Sequence, residues 1–181
     1  IAEGAQLNIW DGVGRTSITI TQADVGASNG VLQVVSDVLL PRGVLTVSQM
    51  LRANVDYFSE FSSQMTAQVI AELDGPGPFT VFVPLDDAVS GVLSPTVVRH
   101  HVVRQLLGAA NFPAPNVSVQ LTTLINLRTT FTSGSQPPAV KNGRSVLATL
   151  SDRTATRAVV TDVDFYAANG VIHSIDKVLV P

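Results

Sequence analysis

Apolar and polar residues follow a β-type pattern over the first forty positions and again beyond residue 117, whereas between these stretches apolar residues recur at helical spacing. Residues 6–10, 17–22 and 31–40 are rich in Val, Ile and Thr and are split by Asp-Gly, Val-Gly and Asn-Gly, so strands are predicted there. Asn29-Gly30 is a hairpin signal, since both residues tolerate positive φ. Thr46-Val-Ser-Gln49 has the form of a capping box and predicts a first helix with Val47, Met50 and Leu51 inward. Asp56 is placed to cap a second helix, in which Phe58, Phe61, Met65 and Val69 share one face and pack on a sheet. Gly75-Pro-Gly-Pro78 breaks the chain before a strand at 79–83 that Pro84 stops. Asp86 and Asp87 suit the start of a short helix. Ser94-Pro95 opens another helix running through His100, His101 and Val103. Strands then follow near 117–131, 145–150, 157–164 and 171–180, separated by Ser-Gly, Pro-Pro, Asn142-Gly143 and Asn169-Gly170. Helices first and strands afterwards indicate an α+β fold.

The pattern contains a repeat. Residues 27–41 return without a gap as 167–181, an offset of 140, with Ala27, Asn29, Gly30, Val31, Val38, Leu39 and Pro41 unchanged. The same offset relates Thr21 to Thr161 and Asp24 to Asp164. A period this long is a domain, not a solenoid unit. The expected organisation is therefore the closing strands of one module plus a linker at 1–43, then a complete module at 44–181. Strands at 1–43 with no partner of their own expose an edge and an apolar face. They are expected to pack on an upstream segment or on another chain. Ile1 is an improbable translational start, so the sequence reads as mature or partial.

Composition changes the picture in one respect. Hydrophobic residues make up 45% of the chain and charged residues 14%, against about 25% charged in ordinary soluble domains. A surface so poor in charge suits a molecule that sits against others. The net charge of −3, with acids and bases mixed, gives no nucleic-acid footprint. No apolar run approaches the ~20 residues of a membrane helix. The absence of cysteine excludes disulfides and thiolate metal sites.

Three blocks, in order, carry a family resemblance. The block Gly77-Pro78-Phe79-Thr80-Val81-Phe82-Val83-Pro84-Leu85-Asp86-Asp87-Ala88 resembles the first signature of the fasciclin-like (FAS1) domain. His100-His101-Val102-Val103 is similar to its Tyr-His-Val-Val segment, and Asn169-Gly170-Val171-Ile172-His173-Ser174-Ile175-Asp176-Lys177-Val178-Leu179 to its closing block. The resemblance implies a β-sandwich wedge flanked by α-helices, tandem repetition, an extracellular or cell-surface location, and roles in adhesion and matrix. His100 stands where the family has tyrosine, Leu85 where it often has threonine and Val89 where an aromatic is common, and the stretch from Ala88 to His100 is short. The integrin binding linked to the Tyr-His segment in some animal members is therefore not carried over.

Candidate chemistry is sparse. His100 and His101, adjacent on a helix, point about 100° apart and cannot chelate one metal; by the resemblance, His101 faces the core. His173 is Gln33 in the other copy, which argues for a structural role. Asp162 and Asp164, alternate on a strand, could form a weak cation site, but a turn or strand-end role is the stronger reading. Asn116-Val-Ser118 is an N-glycosylation sequon. The sequence thus predicts a non-catalytic adhesion or matrix module without cofactor. Its expected partners are neighbouring FAS1 repeats, matrix or assembly proteins, or polysaccharide. The alternatives are an architectural subunit of a large assembly and an apolar-ligand (carotenoid-like) binder.

Overall fold

The computed structural model describes residues 8–9, 18–134, 139–141, 144–154 and 157–181. In chain order they form β1 (Asn8–Ile9), β2 (Ile18–Ala27), β3 (Gly30–Val35), α1 (Val47–Ala53), α2 (Ser59–Ser63), α3 (Ala67–Asp74), β4 (Phe79–Pro84), α4 (Pro95–His100), β5 (Val102–Val103), β6 (Ser118–Thr122), β7 (Arg128–Ser133), β8 (Ala139–Lys141), β9 (Arg144–Val146), β10 (Ala148–Ser151), β11 (Arg157–Ala167) and β12 (Gly170–Ile175). Single 3-10 turns lie at Asp86–Ala88 and Ala109–Asn111. The predicted strand at 6–10 is described only at Asn8–Ile9, and the Pro-Pro and Asn142-Gly143 breaks lie outside the described residues.

Seven strands form the main sheet in the order β5-β4-β12-β11-β10-β7-β6, and β1-β2-β3 form a separate one. Within the main sheet β4 and β12 run parallel, register Gly170 to Phe79 through Ile175 to Pro84, while its other pairs are antiparallel. A parallel pair needs both faces covered, and all six residues of β4 and of β12 are buried. Alternation divides them between two cores. Phe79, Val81, Val83 and Ile172 face the helices with Met50, Leu51, Phe61, Val69 and Leu73. Phe82 and Ile175 face the opposite way, joining Leu121, Phe131, Leu150, Val160 and Leu179.

The helical part departs from the expected pattern. The predicted helix from Asp56 to Val69 is two helices, because the Thr66 hydroxyl caps α3 by accepting from Val69 N–H and leaves Met65 at the joint. Helix α2 is served by a carboxylate remote in sequence: Asp86 accepts from Ser59 Oγ at 2.7 Å and Glu60 N–H at 2.8 Å. The capping box is present, with Thr46 accepting from Gln49 N–H and Gln49 from Thr46 N–H. Helix α4 ends at His100 and the chain turns directly into β5, so Val103 is a strand residue. The expected strand at 117–131 is a hairpin, β6–β7, whose turn carries Asn126 at φ 60°. After Ile175 the last six residues leave the strand.

The two copies of the repeat fold alike. β2–β3 pairs Ile20 with Val35, Gln22 with Val34, Val25 with Leu32, Gly26 with Val31 and Ala27 with Gly30. β11–β12 pairs Val160 with Ile175, Asp162 with Ser174, Phe165 with Ile172, Tyr166 with Val171 and Ala167 with Gly170, each 140 residues on. Both hairpins bulge at the same place, where Asp24 and Asp164 take φ of 58° and 66°. The turns are Ser28-Asn29 and Ala168-Asn169, one residue before the Asn-Gly pair, and neither asparagine has positive φ.

Only one of these turns is tied to helices among the described residues. Asn169 Oδ1 accepts from Val47 N–H at the start of α1, and its Nδ2 donates to Leu73 and Gly75 carbonyls at the end of α3. Its backbone carbonyl accepts from Phe79 N–H, the first residue of β4. Asn169→Ala removes three part-buried side-chain bonds and should cost about 2–4 kcal/mol. Asn29→Ala, at the exposed matching turn, should cost less than about 0.5 kcal/mol. Urea unfolding of the two variants checks the contrast; equal losses would contradict it.

Candidate functional site

Most of the residues singled out in the sequence gather where β4, the end of α4 and β12 meet, and the polar ones among them, His100 excepted, hold pieces of backbone. Thr80 is buried on β4, its hydroxyl donating to Gln105 carbonyl and accepting from Leu107 N–H. Phe82 stacks 5.6 Å from His173 and 6.0 Å from Phe131, and Pro84 ends the strand opposite Ile175. Phe79 and Val81 lie in the helix-side core, and Asp86 caps α2. Asp176 Oδ1 accepts from Val159 N–H at 2.6 Å, closing the end of β11–β12. In the first copy Ser36 Oγ does the same for Thr19 N–H at 3.0 Å.

The three histidines are all inside. His101 is fully buried as the C-cap of α4. Its Nδ1–H donates to Val97 carbonyl at 2.8 Å and its bare Nε2 accepts from Leu179 N–H at 2.9 Å. The ring stands edge-on to Phe61, so it bridges α4, α2 and the C-terminal segment. His173 has the opposite tautomer: Nδ1 accepts from Asp164 N–H at 3.2 Å and Nε2–H donates to Leu107 carbonyl at 2.7 Å. Gln33 reproduces the first of these contacts in the other hairpin, its Oε1 accepting from Asp24 N–H. His100 is buried too, with Nε2 at 3.5 Å from the Thr129 hydroxyl and Nδ1 lacking a hydrogen-bond partner among the described residues. Burial pushes all three imidazoles below their ordinary pKa, His101 to about 4, and the hydrogen bonds to Val97 and Leu107 only partly oppose it.

The carboxylates are equally engaged. Asp164 accepts from Ala109 N–H, and Asp162 accepts from Ser174 Oγ. The bulge between them breaks the alternation, so the two do not form the cation site considered from strand parity. Among the described residues no three His, Cys, Asp or Glu side chains group to hold a metal. Tyr166 is hydrogen-bonded to Asp164; burial first and that carboxylate second raise its pKa. Asp152 escaped the sequence reading, yet it receives Thr154 N–H and hydroxyl at Oδ1 and Val180 N–H at Oδ2. The Asp-x-Thr pattern at 152–154, which favours such a local turn, was the available signal. Arg99 with Glu72, a two-bond ion pair joining α4 to α3, carried no signal.

Open clefts lie beside this network. One of about 410 Å³ is bordered by Pro78, Leu106, Tyr166, Asn169 and Gly170. A polar one of about 500 Å³ is bordered by Gln120, Arg128, Thr130, Asp152 and Arg153, and one of about 330 Å³ by Phe112, Pro113, Ser133, Leu147 and Val163. No histidine lines any of the three. Asn116 stands apart, exposed in a turn at φ 63° with its N–H on Ser133 carbonyl.

Comparison with known proteins gives one consistent answer. Residues 56–181 match the fasciclin domain. The chain is 32% identical to rat Stabilin-2 over 68% of its own length and 8% of that protein, and 31% identical to human Stabilin-1 over 92% and 7%. It is 26% identical to Protein sll1483 of Synechocystis over 76% of this chain and 74% of that one. It therefore spans less than a tenth of the stabilins it matches. Its fold matches a FAS1 domain pair from the insect cell adhesion molecule Fasciclin I, with a TM-score of 0.59 at 20% identity, covering 91% of this chain and 60% of that one. This is an α+β FAS1 fold.

The buried imidazoles set a pH dependence. His101 binds its proton near pH 4 when folded and near 6.5 when unfolded. Between these values the unfolded state takes up more protons, so stability is full above about pH 6.5 and falls as pH drops toward 4. The loss from His101 amounts to about 3 kcal/mol. Urea midpoints at pH 7 and pH 4.5 should differ accordingly, and NMR should show His101 neutral at pH 5. An imidazole titrating near 6.5 would contradict the burial argument.

Proposed function

Because the chain belongs to the fasciclin domain family, we propose that it is a non-catalytic adhesion or matrix module that works outside the cell through its surface. The observation that carries this reading is the state of its polar residues. His101, His173, Asp86, Asp164 and Asp176 hold backbone rather than face a cleft together. What remains for recognition is surface that is poor in charge and bears exposed apolar side chains. The most exposed of these among the described residues is Val92, at 96%. Its loop is fixed by Gln64, which donates to Gly91 carbonyl and accepts from Leu93 N–H. A held apolar loop costs little ordering entropy when it docks. The partners are neighbouring fasciclin modules, matrix proteins or polysaccharide, met over an interface of about 1,200–2,000 Å². Secretion through a glycosylating pathway would place a glycan on Asn116, whose exposure suits it.

Microspheres coated with the chain test this directly. They should adhere to one another or to a deposited extracellular matrix. Val92→Lys should weaken adhesion by about fivefold, the effect of losing roughly 1 kcal/mol at an interface, with an unchanged melting temperature. Beads that stay dispersed and bind no matrix would overturn the reading. Where the chain is secreted from a eukaryotic cell, Asn116→Gln should abolish the mass decrease produced by enzymatic deglycosylation.

A further inference from the structure

The second hairpin shares its register, bulge and left-handed aspartate with the first, but its surroundings differ. In the complete module β12 lies between β11 and β4, and Val171 and Ile172 are wholly buried. Among the described residues β3 pairs with β2 alone, and the matching Val31 and Leu32 are each 60% exposed, with Val34 at 44%. The sequence of β3, Gly-Val-Leu-Gln-Val-Val, has no charge and no proline to protect an open edge.

Glycine adds an independent mark. At Gly170 a Cβ would run into the Phe79 carbonyl oxygen, so the approach of β4 requires glycine there. At Gly30 nothing lies within 4 Å. Its φ is not in the left-handed region either, so the turn itself makes no demand for glycine. Gly30 is what a strand arriving as closely as β4 would need.

We propose that the free edge of β3 is an acceptor for one strand of the β4 type, running parallel to it. The inference rests on the module reading above, since the occupant is the β4-equivalent strand of a fasciclin module other than residues 44–181. Its chemistry follows from β4: extended, uncharged, apolar on both faces, with aromatic residues at the first and fourth positions. The register follows from β12 and β4. Gly30 faces the first residue of the incoming strand, Leu32 the third and Val35 the closing proline. Main-chain hydrogen bonds supply attachment and the covering of Val31, Leu32 and Val34 supplies selectivity, as in strand addition generally.

The test uses the full chain, labelled with nitrogen-15, and a synthetic peptide of the sequence of residues 77–85 followed by lysines for solubility. The peptide should slow amide exchange at Gly30–Val35 by about tenfold or more. A nitroxide at the peptide's N-terminus should broaden Gly30 most, and one at the C-terminal end of its strand should broaden Val35 most. Leu32→Asp, at an exposed position, should abolish both effects without changing the melting of the complete module. No change at Gly30–Val35, or broadening in the reverse order, would overturn the proposal. So would protection of these amides without peptide that grows with chain concentration, which would make a second copy the occupant. None of these outcomes touches the bead-adhesion result, so the two readings fail separately.

Discussion

The parallel contact between β4 and β12 is the constraint from which the architecture follows. Parallel strands exclude water from both faces, so one layer has to cover each side of this pair. On one side Phe79, Val81 and Val83 draw in α1, α2 and α3; on the other Phe82 draws in the strands carrying Phe131 and Leu150. Bringing together segments some ninety residues apart has a loop-closure cost, and the polar residues that hold the ends meet it. Asn169 joins the turn of β11–β12 to α1, α3 and β4, and His101 with Asp152 fixes the segment that follows β12. Residues of the types used in active sites are thereby committed to holding the chain.

The repeat separates what is local from what is imposed. The bulge, the left-handed aspartate and the pairing register recur in both hairpins, although only one is covered by helices. Those features therefore belong to the hairpin sequence itself. Burial does not: identical valines at 31 and 171 differ completely in exposure. The exchange of His173 for Gln33 fits this division. The contact to the aspartate N–H at the bulge is local and survives, whereas the contact to Leu107 reaches the segment after β5 and is made by histidine alone.

Elements with a short-range cause were legible. The capping box at Thr46, the serine cap at Ser94, the apolar strand at 79–83 and the paired strands around residue 169 all stand where neighbouring residues put them. The helix expected from Asp56 through Val69 divides in two although Phe61, Met65 and Val69 keep helical spacing, because only Thr66 marks the break. The hairpin β6–β7 was hidden inside one β-rich run, its turn signalled by a single Asn126. The network around His101 and Asp152 was the least legible part. Its partners are backbone groups, Leu179 N–H and Val180 N–H, which leave no trace in residue type.

A rigid framework of this kind bears on how the surface works. Residues that tether backbone rather than substrate tolerate exchange as long as the acceptor or donor is kept, as Ser36 for Asp176 and Gln33 for His173 illustrate. Two classes of residue are thereby separated: the buried pairs that close the sheet, and the exposed side chains that the framework leaves free. Where His100 replaces the tyrosine common to related modules, the change lies in the first class, since the ring is buried and reaches Thr129 rather than solvent. The loop carrying Val92 lies outside that class: Gln64 holds it in place while Val92 itself stays exposed.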